Sequence, residues 1–203
     1  MNQRTHDGII HHARLYETGA WLAFAGRRGP TYDTLVRAAG IRPGHQVLDV
    51  GCGTGYLTRR AVRAVGDTGA VTGIDPSPQM LDLARRLAPE CTFTVAEAER
   101  LPFDDGSFDR VVSCLAVHHI PADLRAEAAR QMFRVLRPGG LLLLADLWPP
   151  AGRRALHLFG ARHSRRHAGT DLSALVQEAG FSSVESARQR PWLTVITAHR
   201  AAR

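Results

Sequence analysis

The feature that most constrains this chain is the run VLDVGCGTG at residues 47–55. An apolar strand pattern runs directly into Gly51, Gly53 and Gly55, and a helical pattern follows at once. Alternating glycines let a backbone turn sharply and approach a ligand closely, and the first turn of the helix presents unpaired N–H groups toward it. A plain strand-to-helix turn needs neither three spaced glycines nor the acid Asp49 two positions ahead of the first.

Around this loop, short β-branched runs alternate with helical stretches, the pattern of a parallel sheet flanked by helices. Residues 46–50 read as the first strand, and residues 54–65 as a helix with apolar positions at Leu57, Ala61, Val62 and Val65. Residues 70–74 form the second strand, 77–87 a helix stopped by Pro89, 92–95 the third strand and 108–114 the fourth. A helix over 122–136 ends at Pro138-Gly139-Gly140, and residues 141–146 are the continuous apolar run of a strand buried on both faces. Residues 6–26 and 31–39 read as helices ahead of the first strand. After a short helix over 171–179, two strands near 181–188 and 192–199 are joined by a turn too short for a crossover, so they pair antiparallel.

Several classes are excluded on composition. The 203 residues are 44% hydrophobic and 22% charged, ordinary for one globular domain. The longest apolar runs, such as 141–145, are too short to span a bilayer. The N-terminal MNQRTHDGII lacks the basic-then-apolar pattern of a secretory signal, which predicts a cytoplasmic protein. Cys52, Cys91 and Cys114 are odd in number and widely spaced, neither a disulfide framework nor a metal pattern. The net charge of +7 comes with no lysine at all, which reflects a bias toward arginine as much as any anionic partner, and no nucleic-acid partner is expected from it.

The glycine run also separates two cofactor classes. A dinucleotide fingerprint requires a small residue where this chain has Tyr56, and it does not include Asp49. Three further segments follow in order: GIDPSPQM at 73–80, AEAERLPFDDGSFDRVVSCLAVHHI at 96–120 and FRVLRPGGLLLLAD at 133–146. Asp75 ends the second strand, where a carboxylate accepts from both hydroxyls of a ribose; Asp75 and Ser77 are also both good caps for the next helix.

Together these four segments, over about residues 40–146, resemble the class I S-adenosylmethionine-dependent methyltransferases, closest to the ubiquinone/menaquinone-biosynthesis type. The resemblance implies S-adenosylmethionine as cofactor and methyl transfer to a small-molecule acceptor. It places Asp49, Gly51, Gly53 and Gly55 around the methionine part, Asp75 on the ribose, and Pro76 and Met80 against the adenine. It also puts Glu97 and the Ala98 N–H on the adenine edge, although many relatives carry Asp at the place of Glu97. Tyr16 resembles a residue of the N-terminal arm that reaches the cofactor, while plain packing of Tyr16, Ala20 and Phe24 on one helical face is an equal reading.

His118 and His119 follow the fourth strand at the edge where such sheets bind ligands, and His118 is the candidate general base. The stretch GRRALHLFGARHSRRH at 152–167 sits where relatives insert substrate-recognition elements. Its arginines, from Arg153 to Arg166, suit an acidic substrate, a peripheral contact with an anionic membrane, or simply a solvated face. His163 and His167 have helical spacing but no evident third ligand, so no metal site is predicted. The expected architecture is a single α/β domain over 1–203: a three-layer, Rossmann-like sandwich with a mostly parallel seven-stranded sheet and a C-terminal antiparallel strand. Its parts are a helical arm over 1–40, a cofactor-binding core over 41–146, and a substrate-side insertion with the final hairpin over 147–203. RNA or protein methylation, and a cofactor-binding scaffold without turnover, are the alternative functions.

Overall fold

A computed structural model of the chain describes residues 27–147, 171–189 and 193–202. The segments carrying Tyr16 and the arginines from Arg153 to Arg166 lie outside the described residues, so the roles expected of them rest on sequence.

Seven strands form one sheet in the order β3-β2-β1-β4-β5-β7-β6. They are β1 (Gln46–Val50), β2 (Ala70–Asp75), β3 (Thr92–Val95), β4 (Phe108–Cys114), β5 (Leu136–Leu147), β6 (Ser182–Gln189) and β7 (Leu193–His199). Strands β1 to β5 pair in parallel, and β7 runs antiparallel to both β5 and β6. Six strands therefore point one way, and their carboxyl ends share one edge. The chain crosses from one half of the sheet to the other between β1 and β4, and open α/β sheets bind ligands at that reversal.

The run of leucines in β5 shows why the sheet is covered on both sides. Leu142 and Leu144 pack into one core with Leu48, Val111 and Ile196, whereas Leu143 and Ala145 pack into the opposite core with Val47, Val112 and Val195. The period of two sends successive side chains to opposite faces, so a strand covered on both must be apolar throughout. Helices α1 (Arg28–Ala38) and α2 (Tyr56–Val65) cover one face, through Leu35, Leu57, Ala61 and Val65. Helices α4 (Arg125–Val135) and α5 (Leu172–Glu178) cover the other, through Met132, Val135 and Val176. At the β2–β3 end of the sheet, α3 (Pro78–Leu87) packs Leu81 and Ala84 on Phe93. This is the expected three-layer α/β sandwich.

Two local expectations are refined. Ser77, not Asp75, caps α3: its Oγ accepts from the Met80 N–H at 3.4 Å, with Pro78 in the first turn. The Pro138-Gly139-Gly140 segment lies within β5 as an irregularity, because Leu136 already pairs with Phe108 before the register jumps to Arg110 opposite Leu141. Arg200 holds this junction. Its Nη1 donates to the carbonyls of Phe133, Arg134 and Leu136 at 3.0, 2.9 and 2.7 Å, and its guanidinium lies over the Phe133 ring. A hydrogen bond from a charged donor contributes about 1.5–3 kcal/mol, and the three carbonyls here share the two hydrogens of one nitrogen. Arg200→Met, which keeps the apolar stem, is expected to lower the free energy of unfolding by about 2 kcal/mol, read from the urea midpoint at unchanged slope.

Candidate active site

The site begins where β1 stops. The N–H groups of Gly51 and Cys52 both donate to the Ile74 carbonyl, at 2.8 and 2.9 Å, which pins the loop to the end of β2. Gly51 has φ +71°, and a Cβ there would lie 2.3 Å from the Cβ of Ala116. Only glycine lets the loop after β1 lie this close to the segment after β4. Gly55 is needed for a different reason. It holds φ +75° as the residue before α2, and a Cβ would press on Ala84 and Phe93 at 3.3 Å.

Asp75 ties the loop to β2 and α3. Its Oδ2 accepts from the Gly53 N–H at 2.9 Å and its Oδ1 from the Ser77 N–H at 2.9 Å. Burial pushes its carboxyl above the usual aspartate range, and these two bonds pull partly against that. Each carboxylate oxygen keeps a second acceptor position. Asp49 lies beneath the loop, 1% exposed, and its Oδ2 accepts from the Thr58 hydroxyl at 2.6 Å. Burial is the largest cause of its rise from 3.8 to about 7; the Thr58 hydrogen bond opposes it and the charge of Asp75 adds to it.

Above the loop opens a cleft of about 860 Å³, counting the space open to solvent at its mouth. Of the residues singled out in the sequence, Gly51, Gly53, Asp75, Pro76, Met80, Glu97 and Ala98 line it together. Asp49 and Gly55 do not; they lie behind the loop and shape it. The wall also contains residues that the sequence did not single out, among them Ile74, Glu99, Leu115 and Ala116. Leu115 has φ +57°, a left-handed conformation rare for a branched apolar residue, and its N–H is held by the Ala145 carbonyl at 2.8 Å. Nothing in its residue type signals this. Gly73 was likewise missed: a Cβ there would come within 2.8 Å of Cys52 Sγ and Phe93, so the loop can settle on β2 only over a glycine.

The two histidines occupy one short turn, Val117–His119, after β4. His119 lines the cleft. His118 is turned onto the end of β5: its backbone N–H donates to Asp146 Oδ2 at 3.0 Å, and its Nδ1 lies 2.6 Å from Asp146 Oδ1. The imidazole rings are 4.0 Å apart.

With this geometry in place, the comparisons are informative. A family model described as a methyltransferase domain matches residues 47–140. An uncharacterized methyltransferase of Synechocystis sp. is 37% identical over 153 residues, covering 71% of this chain and 70% of that protein. The ubiquinone/menaquinone biosynthesis C-methyltransferase of Ectopseudomonas mendocina is 38% identical over 121 residues. That match takes in 57% of this chain and 46% of the relative, so the chain spans about half of that relative's length. A solved S-adenosylmethionine-dependent methyltransferase of Aquifex aeolicus shares the fold, with a TM-score of 0.70 at 18% identity over 84% of this chain and 89% of that one. The chain belongs to the S-adenosylmethionine-dependent methyltransferases. It is an enzyme of that family, it uses S-adenosylmethionine, and it resembles the ubiquinone/menaquinone-biosynthesis group within it. Among the described residues, no helix is long and apolar enough to cross a membrane.

The donor set fits that cofactor on chemical grounds. Two partly or wholly buried acids, Asp49 and Asp75, stand on either side of the glycine loop, and Glu97 lines the cleft. Carboxylates held at such a desolvation cost are relieved by a cation or by hydroxyl donors, and S-adenosylmethionine brings a sulfonium, an ammonium and two ribose hydroxyls. A diphosphate would meet acids in the same place. S-adenosylmethionine at one hundred times its dissociation constant is expected to stabilise the protein by about 2.7 kcal/mol, a melting shift of about 5–10 °C, and NAD to give none. Equal shifts from both compounds in a thermal melt would remove this assignment.

Proposed function

We propose that this enzyme transfers a methyl group to a small-molecule acceptor. The observation that carries this reading is the cleft itself: a concave, largely apolar site walled by Ile74, Pro76, Met80 and Leu115, with acids at a few fixed points. The relatives named as C-methyltransferases of ubiquinone and menaquinone biosynthesis support it, since those names place their methyl transfer in the making of a non-polymeric metabolite.

In this reading Asp75 takes the ribose hydroxyls while bracing Gly53. Glu97 and the Ala98 N–H take the adenine edge, and Pro76 and Met80 offer it an apolar surface. Asp49 and the Gly51 carbonyl supply negative potential near the methionine ammonium, and Tyr16 is assigned to the cofactor on the family resemblance alone. Bound there, S-adenosylmethionine supplies an electrophilic methyl group on its sulfonium. The residues of the chain hold the acceptor in line, exclude water and accept a proton where one must leave.

The test is incubation with isotopically labelled methyl donor and a metabolite extract, followed by identification of the labelled compound. A labelled small molecule whose formation stops in Asp75→Ala supports the reading. Label found only in RNA or protein, with RNA binding that weakens steeply with salt, overturns it.

A further inference from the structure

The mechanism above leaves one buried polar pair unused. Asp146, at the carboxyl end of β5, is 3% exposed although it sits at the edge of the sheet. It spends one oxygen on the His118 N–H and the other on the His118 ring, 28 positions away in sequence. His118 keeps 13% of its side chain exposed. The turn that carries it is held from below by the buried Arg125, whose Nε donates to the Ile120 carbonyl at 3.0 Å and whose Nη2 reaches the His118 carbonyl at 3.5 Å.

We propose that Asp146 is a positioning residue that fixes His118 as the proton acceptor for a hydroxyl-bearing methyl acceptor, an inference that rests on the small-molecule reading above. A carboxylate only accepts hydrogen bonds, so the ring nitrogen 2.6 Å from it must be the donor. With Nδ1 protonated, the neutral imidazole carries its lone pair on Nε2, and the imidazolium formed when Nε2 takes a proton stays paired with Asp146. His118 shares its turn with His119, which lines the cofactor cleft, and it lies between β4 and β5. The assigned cofactor ligands come from β1, β2 and the loop after β3, so the β4–β5 part of the edge is left for the acceptor. Among the described residues, the groups around His118 include Asp146 from β5, His119 in the same turn and Arg125 from α4; Cys114 at the end of β4 feels the Asp146 charge.

Amines are nucleophilic as free bases and thiols ionise near neutrality, so neither needs a fixed base, whereas a phenol or enol hydroxyl does. In the step proposed, the acceptor O–H bond breaks and its proton goes to His118 Nε2. The released pair attacks the donor methyl from the oxygen, or from the ring carbon conjugated with it, and the methyl–sulfur bond breaks with its pair going to sulfur. The proton on Nε2 then leaves to solvent.

The test has a part that needs no acceptor. In the full-length protein labelled with 15N-histidine, NMR at pH 8 is expected to show His118 protonated at Nδ1, the signal being assigned by its loss in His118→Gln. Asp146→Asn should invert this tautomer. The backbone N–H of His118 can only donate, so it takes the amide oxygen. The amide NH2 then faces Nδ1, which must accept, and the proton moves to Nε2. With the acceptor found by labelling, Asp146→Asn and His118→Gln should each lower kcat at least a hundredfold, with the dissociation constant for S-adenosylmethionine unchanged. Asp146→Glu should restore part of the rate and the Nδ1 tautomer. A His118 protonated at Nε2 in the wild type, or a tautomer indifferent to Asp146→Asn, overturns the dyad. A product methylated on an amine nitrogen or a thiol sulfur overturns the acceptor class. Label confined to RNA or protein defeats the small-molecule reading instead, and the tautomer still decides the dyad.

Discussion

Replacing Gly51 by alanine is expected to destabilise the protein by about 3 kcal/mol or more and to abolish binding of S-adenosylmethionine. Two effects add. At φ +71° an L-residue carries a strain of about 1–2 kcal/mol that glycine escapes. The new methyl would also stand 2.3 Å from the Cβ of Ala116, inside any tolerable contact. Neither neighbour yields easily, because the Ala116 methyl has no rotamer that moves it away and the Gly51 N–H is tied to the Ile74 carbonyl. Relieving the overlap means moving the loop off β2 or the turn off the cleft, and overpacking of this kind costs about 1–3 kcal/mol. Gly53 supplies the control. It also has positive φ, +54°, but a Cβ there meets only the flexible end of Met80 at 3.9 Å. Gly53→Ala should therefore show the strain alone, about 1 kcal/mol. Urea unfolding and calorimetric titration with S-adenosylmethionine measure both quantities. A Gly51→Ala protein within 0.5 kcal/mol of wild type, or no worse than Gly53→Ala, would show that the close approach of the two loops is not what this glycine is for.

How much of this was legible in advance follows from which interactions are local in sequence. The loop after β1 was readable because its requirements fall on consecutive residues: a buried strand, spaced glycines and a helix. The boundaries were less so. Gly55 is in a left-handed conformation, so α2 begins at Tyr56 rather than at residue 54. The cap of α3 went to Ser77 because both Asp75 oxygens were drawn to the Gly53 and Ser77 N–H groups, a choice that depends on where the loop settles. Asp49 illustrates a different limit. Its residue type and spacing pointed to the site, but alternation along β1 places its side chain beneath the loop, against Thr58, and not on the cleft wall. The pairing of His118 with Asp146 was not legible at all. A lone Asp after a run of leucines is compatible with a cap or a solvated strand end, and only the parallel register of β4 on β5 brings it to the turn that carries His118.

The position of Asp49 leads to the second large effect, on pH. Its carboxyl is raised by burial from 3.8 to about 7 in the folded protein. A group raised in this way binds its proton more tightly when folded, so its contribution to stability is complete below about pH 4 and is lost as pH rises through about 7. A rise of about 3 corresponds to a ceiling of about 4 kcal/mol. Asp75, also raised, acts in the same sense, while His45, pushed down by burial, acts in the opposite one. Asp109 is lowered, and its contribution is already complete above about pH 4. The cofactor-free protein should therefore lose stability between about pH 4 and pH 8, and Asp49→Asn should remove up to about 4 kcal/mol of that loss while leaving the other groups in place. The comparison of slopes matters more than either absolute value, since the asparagine amide accepts from Thr58 as the acid does but brings a donor that must itself find a partner. Binding reverses the sense. An ionised Asp49 attracts the cationic methionine end of S-adenosylmethionine, so wild-type affinity should rise from pH 5.5 to 8, and Asp49→Asn should bind about tenfold more weakly at pH 8 with no such rise. Chemical denaturation across that range gives the first slope and calorimetry the second. Parallel slopes for the two proteins would mean that Asp49 is not charged by the cofactor, and its place under the glycine loop would then be structural alone.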